Sequence, residues 1–287
     1  MLRRTLLAGA CTAPFARTQA AGTLTAAQVI ERIQQNLGVP WRKETVDTIK
    51  SGDPSTPVTG IATTMFATFD VLQRAAAQGK NMVIAHEPTF YSHQDRTEQL
   101  AAAGDRVYGD KERFLREHNM VVFRFHDHWH MRRPDGIREG MTQKLGWQQY
   151  QVADTPFLYH LPETRLESLA ATMRKKLGAG TLRVTGKRDM KVTKVALSPG
   201  AGGSASHLRL LRRDDVEVLA IGEVPEWETT AWVADAVAQG KSKALILIGH
   251  TPSEQAGMET CAPWLKTFIT EVPVAYIEAA EPFWNPR

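Results

Sequence analysis

Three short stretches of this chain collect side chains that could hold a cation. "AHEPTFYSH" carries His86, Glu87 and His93; "FHDHWH" carries His126, Asp127, His128 and His130; "GHTPSE" carries His250 and Glu254. Each follows a short apolar run that reads as a buried strand. Burying an imidazole without a partner is costly, and neighbouring imidazolium charges repel one another. Neutral imidazoles facing a shared cation escape both penalties. Of the two cysteines, Cys11 lies in a removable N-terminal stretch and only Cys261 would remain, so a thiolate-rich site is excluded and the ligands would be nitrogen and oxygen. That donor set suits Zn, Mn or Fe(II) better than Ca or Cu(I).

Spacing leaves alternatives open at each stretch. If a helix starts near Pro252, His250 and Glu254 stand four residues apart on one side of its first turn. Glu254 also reads as the partner of a Thr251 capping box, with Pro252 at the first helical position. If "FHDHWH" stays extended, His126, His128 and His130 share one face and Asp127 takes the other. His86 and Glu87 form either a turn pair or a ligand pair. Three histidines in a loop can also serve as a pH-sensitive or solvated group. Glu223, opening "GEVPEWE", is either a functional carboxylate or one favoured by a helix dipole. His118, His160 and His207 read as exposed or locally bonded, outside any site.

The elements that must position these groups alternate along the chain. "LTAAQVIERIQQNLGVP" has helical apolar spacing and stops at Gly38 and Pro40. "PVTGIATTMF" reads as a strand, "FDVLQRAAAQG" as a helix, "NMVIA" as a strand ending at His86. Residues 95–118 are expected to be mainly helical, followed by the strand "MVVFRF" and the helix "GIREGMTQKLG". From about residue 155 come the strand "FLYHL" and the helix "PETRLESLAATMRKKLG", with Pro162 in its first turn. "TLRVTG" and "VTKVALS" are strands, and "PGAGGSAS" is a glycine-rich turn feeding a helix to about Arg213. The alternation continues through "VEVLAIG", "EWETTAWVADAVAQG", "KALILIG" and "VPVAYIE". One echo stands out: "AAAQGKNMVIAH" and "AVAQGKSKALILIGH" each give a helix, an exit glycine, a buried strand and a histidine. Functional groups of α/β sheets gather at the carboxyl ends of strands.

The 287 residues allow one large domain or two small ones, and the hydrophobic content of 43% is ordinary for a globular protein. The formal charge of +4 includes Arg3, Arg4 and Arg17, so the remainder carries about +1 and offers no electrostatic case for nucleic acid. Residues 1–21 have the grammar of an export signal: a basic start, a short apolar stretch and a small-residue exit at "TQAAG". The Arg3–Arg4 pair before "TLLAGA" resembles a twin-arginine signal, which exports folded proteins, so the protein is expected in the periplasm. After cleavage Cys261 would stand alone, without an intrachain disulfide. No stretch is apolar for long enough to span a membrane.

Taken together, the motifs resemble the NIF-three-like family of dinuclear-metal proteins, homologues of GTP cyclohydrolase I type 2. The resemblance rests on "AHEP", "FHDHWH", "SPGAGGS", "GEVPEWE" and "GHTPSE", in that order, and covers most of the chain after the signal. It implies an α/β fold of two similar lobes with mixed sheets, 22–154 and 155–287, with the site in the cleft between them. It also implies a homo-oligomer, commonly a hexameric ring. The family pattern has a His-His pair at the first motif, His and Asp four apart at the second, and His and Glu four apart at the third. Here Glu87 stands where the second histidine is expected and His130 where the aspartate is expected. The implied metal ligands are His86, Glu87, His130, His250 and Glu254, holding two divalent transition-metal ions. Ions about 3.5–4 Å apart need a bridging ligand. Glu254 is the first candidate for it and Glu87 the second. Glu223 is the expected general base or anchor, and His126 a substrate contact or partner of the ligands. The implied activity is hydrolysis of a small molecule; the alternative is a metal- or ligand-binding protein without turnover.

Overall fold

The computed structural model describes residues 24–286, so the expected signal at 1–21 lies outside the described residues. The first half runs α1 (Ala26–Asn36), β1 (Ile49–Ser51), β2 (Ile61–Thr64), α2 (Phe69–Ala77), β3 (Met82–Ala85), α3 (Glu98–Ala102), α4 (Arg106–Glu117), β4 (Val121–Arg124), α5 (Asp127–Met131) and α6 (Gly136–Leu145). Then follow β5 (Gln151–Val152), β6 (Thr155–Arg165), α7 (Leu166–Leu177), β7 (Arg183–Thr185), β8 (Lys191–Ser198), α8 (Ser204–Leu211) and β9 (Val218–Ile221). The chain closes with α9 (Ala231–Ala238), β10 (Ala244–Leu247), α10 (His250–Lys266) and β11 (Val274–Tyr276).

Two mixed sheets result, ordered β1-β4-β3-β2-β11 and β5-β6-β8-β9-β10-β7. Strands β4, β3, β2 and β11 are parallel, as are β8, β9 and β10, while β1, β6 and β7 join antiparallel. Every residue of β2, β3, β4, β9 and β10 is buried, which is why these strands read as short continuous apolar runs. Their side chains alternate between two cores. Met82, Ile84, Val121 and Phe123 pack with Val29 and Ile33 of α1 and Met258 and Leu265 of α10. Val83, Ala85 and Val122 face Val71 and Leu72 of α2 and Leu115 of α4. The second sheet is covered likewise, by α7 on one side and by Leu211 of α8 and Val233 of α9 on the other. Each large apolar side chain so buried contributes roughly 1.5–3 kcal/mol.

The sequence echo is structural. In both units the helix closes with the same pair of bonds, Gly79 N–H to Ala76 and Lys80 N–H to Ala75 in one, Gly240 N–H to Val237 and Lys241 N–H to Ala236 in the other. Each exit then feeds a buried strand whose carboxyl end delivers a histidine.

Two expectations are corrected. The helix at "PETRLESL" begins at Leu166, not at Pro162: β6 continues to Arg165, with its pairing to β8 irregular between His160 and Thr164, where Pro162 sits. The last part of the second half returns to the first sheet. There β11 pairs with β2 and α10 packs beneath, so the lobe expected at 155–287 gives its final helix and strand to the other sheet. That return sets α10 backbone-to-backbone against α6. A Cβ on Gly140 would lie 2.5 Å from the Ala256 carbonyl oxygen, and one on Gly257 2.6 Å from Ile137 Cα.

Candidate metal centre

Three strand ends converge in one cleft. β3 delivers His86 and Glu87. β4 leads through Phe125 to His126, and α5 places His130 one turn later. β10 leads through Ile248 and Gly249 to His250, where α10 begins, and Glu254 follows one turn on. The ring centroids of His86, His126 and His130 lie 4.6–5.0 Å apart. His250 Nε2 is 3.3 Å from Glu87 Oε1 and 3.2 Å from Glu254 Oε2. His86 Nε2 is 3.6 Å from Glu254 Oε2, His126 Nε2 3.7 Å from Glu87 Oε1, and His130 Nε2 4.0 Å from Glu254 Oε1. Most of these separations exceed a hydrogen bond and leave room for a cation between the atoms. Two ligand-type groups, His86–His126–His130 and His86–Glu87–Glu254, have donor atoms within 4.8 Å of one another.

The outer nitrogens explain the orientation of the rings. His86 Nδ1 donates to the Phe125 carbonyl at 3.1 Å, His126 Nδ1 meets Asp127 Oδ1 at 2.9 Å, His130 Nδ1 meets Asp135 Oδ2 at 3.1 Å, and His250 Nδ1 meets Glu223 Oε1 at 3.3 Å. A carbonyl or ionised carboxylate only accepts, so each Nδ1 carries the proton in the neutral ring and each Nε2 keeps its lone pair. All four Nε2 atoms point towards the two buried glutamates. His86 Nε2, His250 Nε2 and Glu254 Oε2 are buried and make no hydrogen bond with the described residues. Buried polar atoms are normally paired. This donor set therefore fits a cation, and lone pairs fixed by acceptors behind the ring are the usual arrangement of metal-binding histidines.

The electrostatics agree. Burial and the neighbouring imidazoles of His130 and His126 hold His86 well below the usual histidine range. Burial opposes charge on His250 as well, yet contacts with Glu223, Glu254 and Glu87 outweigh it and push its pKa up to about 12. Three carboxylates around one ring demand positive charge, and a proton supplies it where a cation does not. Burial works to raise Glu87, but His250, His126 and Arg124 bring it below its ordinary value.

"FHDHWH" is not extended. Asp47 caps it as a helical turn: Oδ1 accepts the N–H groups of His126 and Asp127 at 2.7 and 2.9 Å, and Oδ2 accepts those of His128 N and Nδ1 at 2.8 and 2.7 Å. His126 and His130 consequently share a face, while His128 turns away, stacks on Trp41 at 3.7 Å and accepts the Arg42 N–H at Nε2. Glu254 forms no capping box, because the helix begins with Gly249 as its cap. His118 and His160 are exposed as expected, but His207 is fully buried behind the glycine-rich turn. Glu223 Oε1 lies behind His250, 3.3 Å from its Nδ1, and His126 falls within a ligand-type group rather than standing apart from it.

Sequence reasoning missed the supports: Asp47, Asp135 and the fully buried Arg124, whose Nη2 lies 3.4 Å from Glu87 Oε2. An arginine inside "VVFRF" was the available signal. The glycine-rich turn also has a steric reason. Gly200 has φ +69°, and a Cβ there would lie 2.1 Å from Glu254 Oε1. In front of the cluster opens a cleft of about 990 Å³, walled in part by Phe66, Phe69 and Tyr91.

Two mixed α/β sheets with an imidazole–carboxylate cluster at their strand ends define the class to which the molecule conforms. The chain belongs to the Duf34/NIF3 (NGG1p interacting factor 3) family, which matches residues 25–282. Among solved structures, Staphylococcus aureus protein SA1388 is similar at 18% identity and TM-score 0.72, covering 92% of this chain and 100% of that one. A Bacillus cereus protein related to NIF3 matches at 14% identity and TM-score 0.72, over 92% and 100% of the two chains. HcgD from Methanocaldococcus jannaschii matches at 12% identity and TM-score 0.61, over 88% and 97%. No curated protein matches the sequence. No helix among the described residues is long and apolar enough to cross a membrane.

Proposed function

We propose that this protein is a metal-dependent hydrolase of a small molecule, holding two divalent transition-metal ions, Zn, Mn or Fe, through His86, Glu87, His126, His130, His250 and Glu254. The observation that carries this reading is the convergence of four Nε2 atoms on two buried glutamates, with three of the polar atoms unpartnered. Glu254 would be the ligand shared by the two ions, a reading supported by Oε1 lying 4.0 Å from His130 Nε2 and Oε2 lying 3.6 and 3.2 Å from the Nε2 atoms of His86 and His250. When bound, such ions polarise a carbonyl or phosphoryl oxygen and acidify water. The chain's own groups do the rest. Asp127, Asp135, Glu223 and the Phe125 carbonyl hold the Nδ1 protons and so keep the rings in register. Arg138 lines the same cleft with its Nη2 3.7 Å from Asp135 Oδ2, and its charge would favour negative charge developing on a substrate oxygen. The phenyl rings of Phe66 and Phe69 limit water on the cleft wall.

Elemental analysis of the purified protein tests the metal, with two equivalents expected. Turnover of generic phosphoester, amide and lactone substrates tests the activity, and Glu254→Ala should abolish it. No metal after careful loading sinks the whole reading. Stoichiometric metal without turnover on any of the three classes leaves a metal-holding protein and removes the hydrolase. The export signal and a ring-shaped homo-oligomer belong to the same proposal. They are tested by the cellular location of an Arg3→Lys, Arg4→Lys variant and by light scattering.

A further inference from the structure

Lys111 is 3% exposed, yet it lines the cleft in front of the imidazole cluster. Its ammonium donates to the Thr89 carbonyl at 2.6 Å. Among the described residues no carboxylate lies within ion-pair distance of it. The acid that influences it, Asp95, is spent elsewhere: its Oδ1 accepts the Thr89 and Phe90 N–H groups, and its Oδ2 lies 3.6 Å from Lys50 and 3.7 Å from Arg124. A buried ammonium without an anionic partner is costly, and a methionine would fill the same space without that cost.

The surroundings describe what the ammonium is for. Its Nζ sits 5.3 Å from the ring centroid of Tyr91 and 5.7 Å from that of Phe90. Tyr91 lines the cleft, is 59% exposed, and has φ +60°, a left-handed backbone that aromatic residues rarely adopt. Strained residues of this kind persist where the surroundings hold them, and the Asp95 bonds hold this loop. At the other side of the cleft Phe66 stands edge-on to His250, 5.8 Å between centroids. An apolar surface thus joins the metal-type cluster to the lone ammonium. Lys111 stands apart from the cluster in the same cleft, so it offers an anionic group a place to settle that is separate from the imidazoles.

We infer that the cleft takes an amphiphilic anion: an apolar, preferably aromatic body lies on Phe66, Phe69 and Tyr91, and a carboxylate or phosphate is received by Lys111. This rests on the hydrolase reading for its consequence, since it names the substrate class of that site, but it is a statement about binding and is tested as one.

The test is calorimetric titration of the metal-loaded protein with two series of probes. One series is the ω-phenylalkanoates from phenylacetate to 4-phenylbutyrate, with phenylphosphonate as the phosphate analogue; the other is the matching neutral primary amides. The wild type should prefer the best anion over its amide. Lys111→Met should weaken anion binding about 30-fold or more, as loss of one partner of a desolvated charge pair does, and leave amide binding unchanged. Lys111→Arg should retain most of the anion preference. A wild type that binds anion and amide alike overturns the inference without recourse to any variant. So does a folded Lys111→Met protein that keeps the anion affinity, since the anion then sits on the metals, or one that loses both probes equally, since Lys111 then only packs. Metal content is measured on every variant. Lys111-dependent anion binding in a protein that turns over nothing would sink the hydrolase reading alone.

Discussion

Gly200→Ala separates backbone strain from intrusion into the metal centre, because the fold contains a matched control. Gly200 has φ +69° and Gly79 has φ +68°, so an alanine at either position pays the same left-handed penalty, about 1–2 kcal/mol. Their neighbours differ. Nothing lies within 4 Å of a Cβ on Gly79, whereas one on Gly200 would stand 2.1 Å from Glu254 Oε1 and 2.7 Å from its Cδ. The loop cannot retreat freely, since the Gly200 N–H donates to Ser253 Oγ and its carbonyl accepts the Glu223 N–H. Glu254 must therefore swing away, and overpacking of this kind adds about 1–3 kcal/mol. Urea denaturation in the presence of a chelator should show Gly79→Ala losing about 1–2 kcal/mol and Gly200→Ala about 2–5 kcal/mol. Elemental analysis after metal loading should show full occupancy in Gly79→Ala and a loss in Gly200→Ala. A Gly200→Ala protein that holds full metal and is no less stable than Gly79→Ala would refute the placement of Glu254 against this turn.

Three further outcomes are expected. His86→Ala and His250→Ala should each lose metal while the exposed His118→Ala keeps it; equal metal in all three by elemental analysis would contradict the site. Glu223→Gln should weaken metal affinity about 10–100-fold through His250, and should barely change the urea midpoint because its side chain is 58% exposed. His207 is held below its ordinary pKa by burial, so the unfolded state takes up the proton first on acidification. Its contribution is then present above the unfolded value near 6.5 and is lost as pH falls through the lower folded value. His207→Gln should accordingly flatten the acid limb of stability, read as urea midpoints from pH 8 to pH 5 with chelator present, and an unchanged slope would contradict this.

What the sequence revealed and concealed follows from how local each cause is. The strand ends bearing His86, His126 and His250 were legible because buried parallel strands are apolar on both faces and give way abruptly to polar side chains at these ends. The turn at His126–His130 was not, because its cap is Asp47, about eighty positions earlier and brought in by pairing of β1 with β4. The return of β11 beside β2 and the burial of His207 were hidden for the same reason: tertiary packing decided them.

The two residues that depart from the expected family pattern, Glu87 and His130, each meet a charged neighbour of their own. A glutamate in place of a histidine at position 87 adds a buried negative charge, and the structure sets the buried Arg124 guanidinium 3.4 Å from it. A histidine in place of an aspartate at position 130 removes a negative charge and adds a ring that needs orienting. Asp135, which also caps α6 through the Ile137 and Arg138 N–H groups, receives its Nδ1. Each exchange thus has its own counter-group, and the groups facing the cleft keep their overall balance of imidazole and carboxylate. The pairs should therefore be coupled. Glu87→His alone leaves the buried Arg124 with Asp95, 3.7 Å away, as its remaining carboxylate, so the loss should stay below the ~3–5 kcal/mol of a fully broken buried pair, and Glu87→His with Arg124→Met should recover part of it in urea denaturation with chelator. If the double variant is no more stable than the single one, Arg124 is not there to balance Glu87, and its ties to Asp95 and the His86 carbonyl are its whole role.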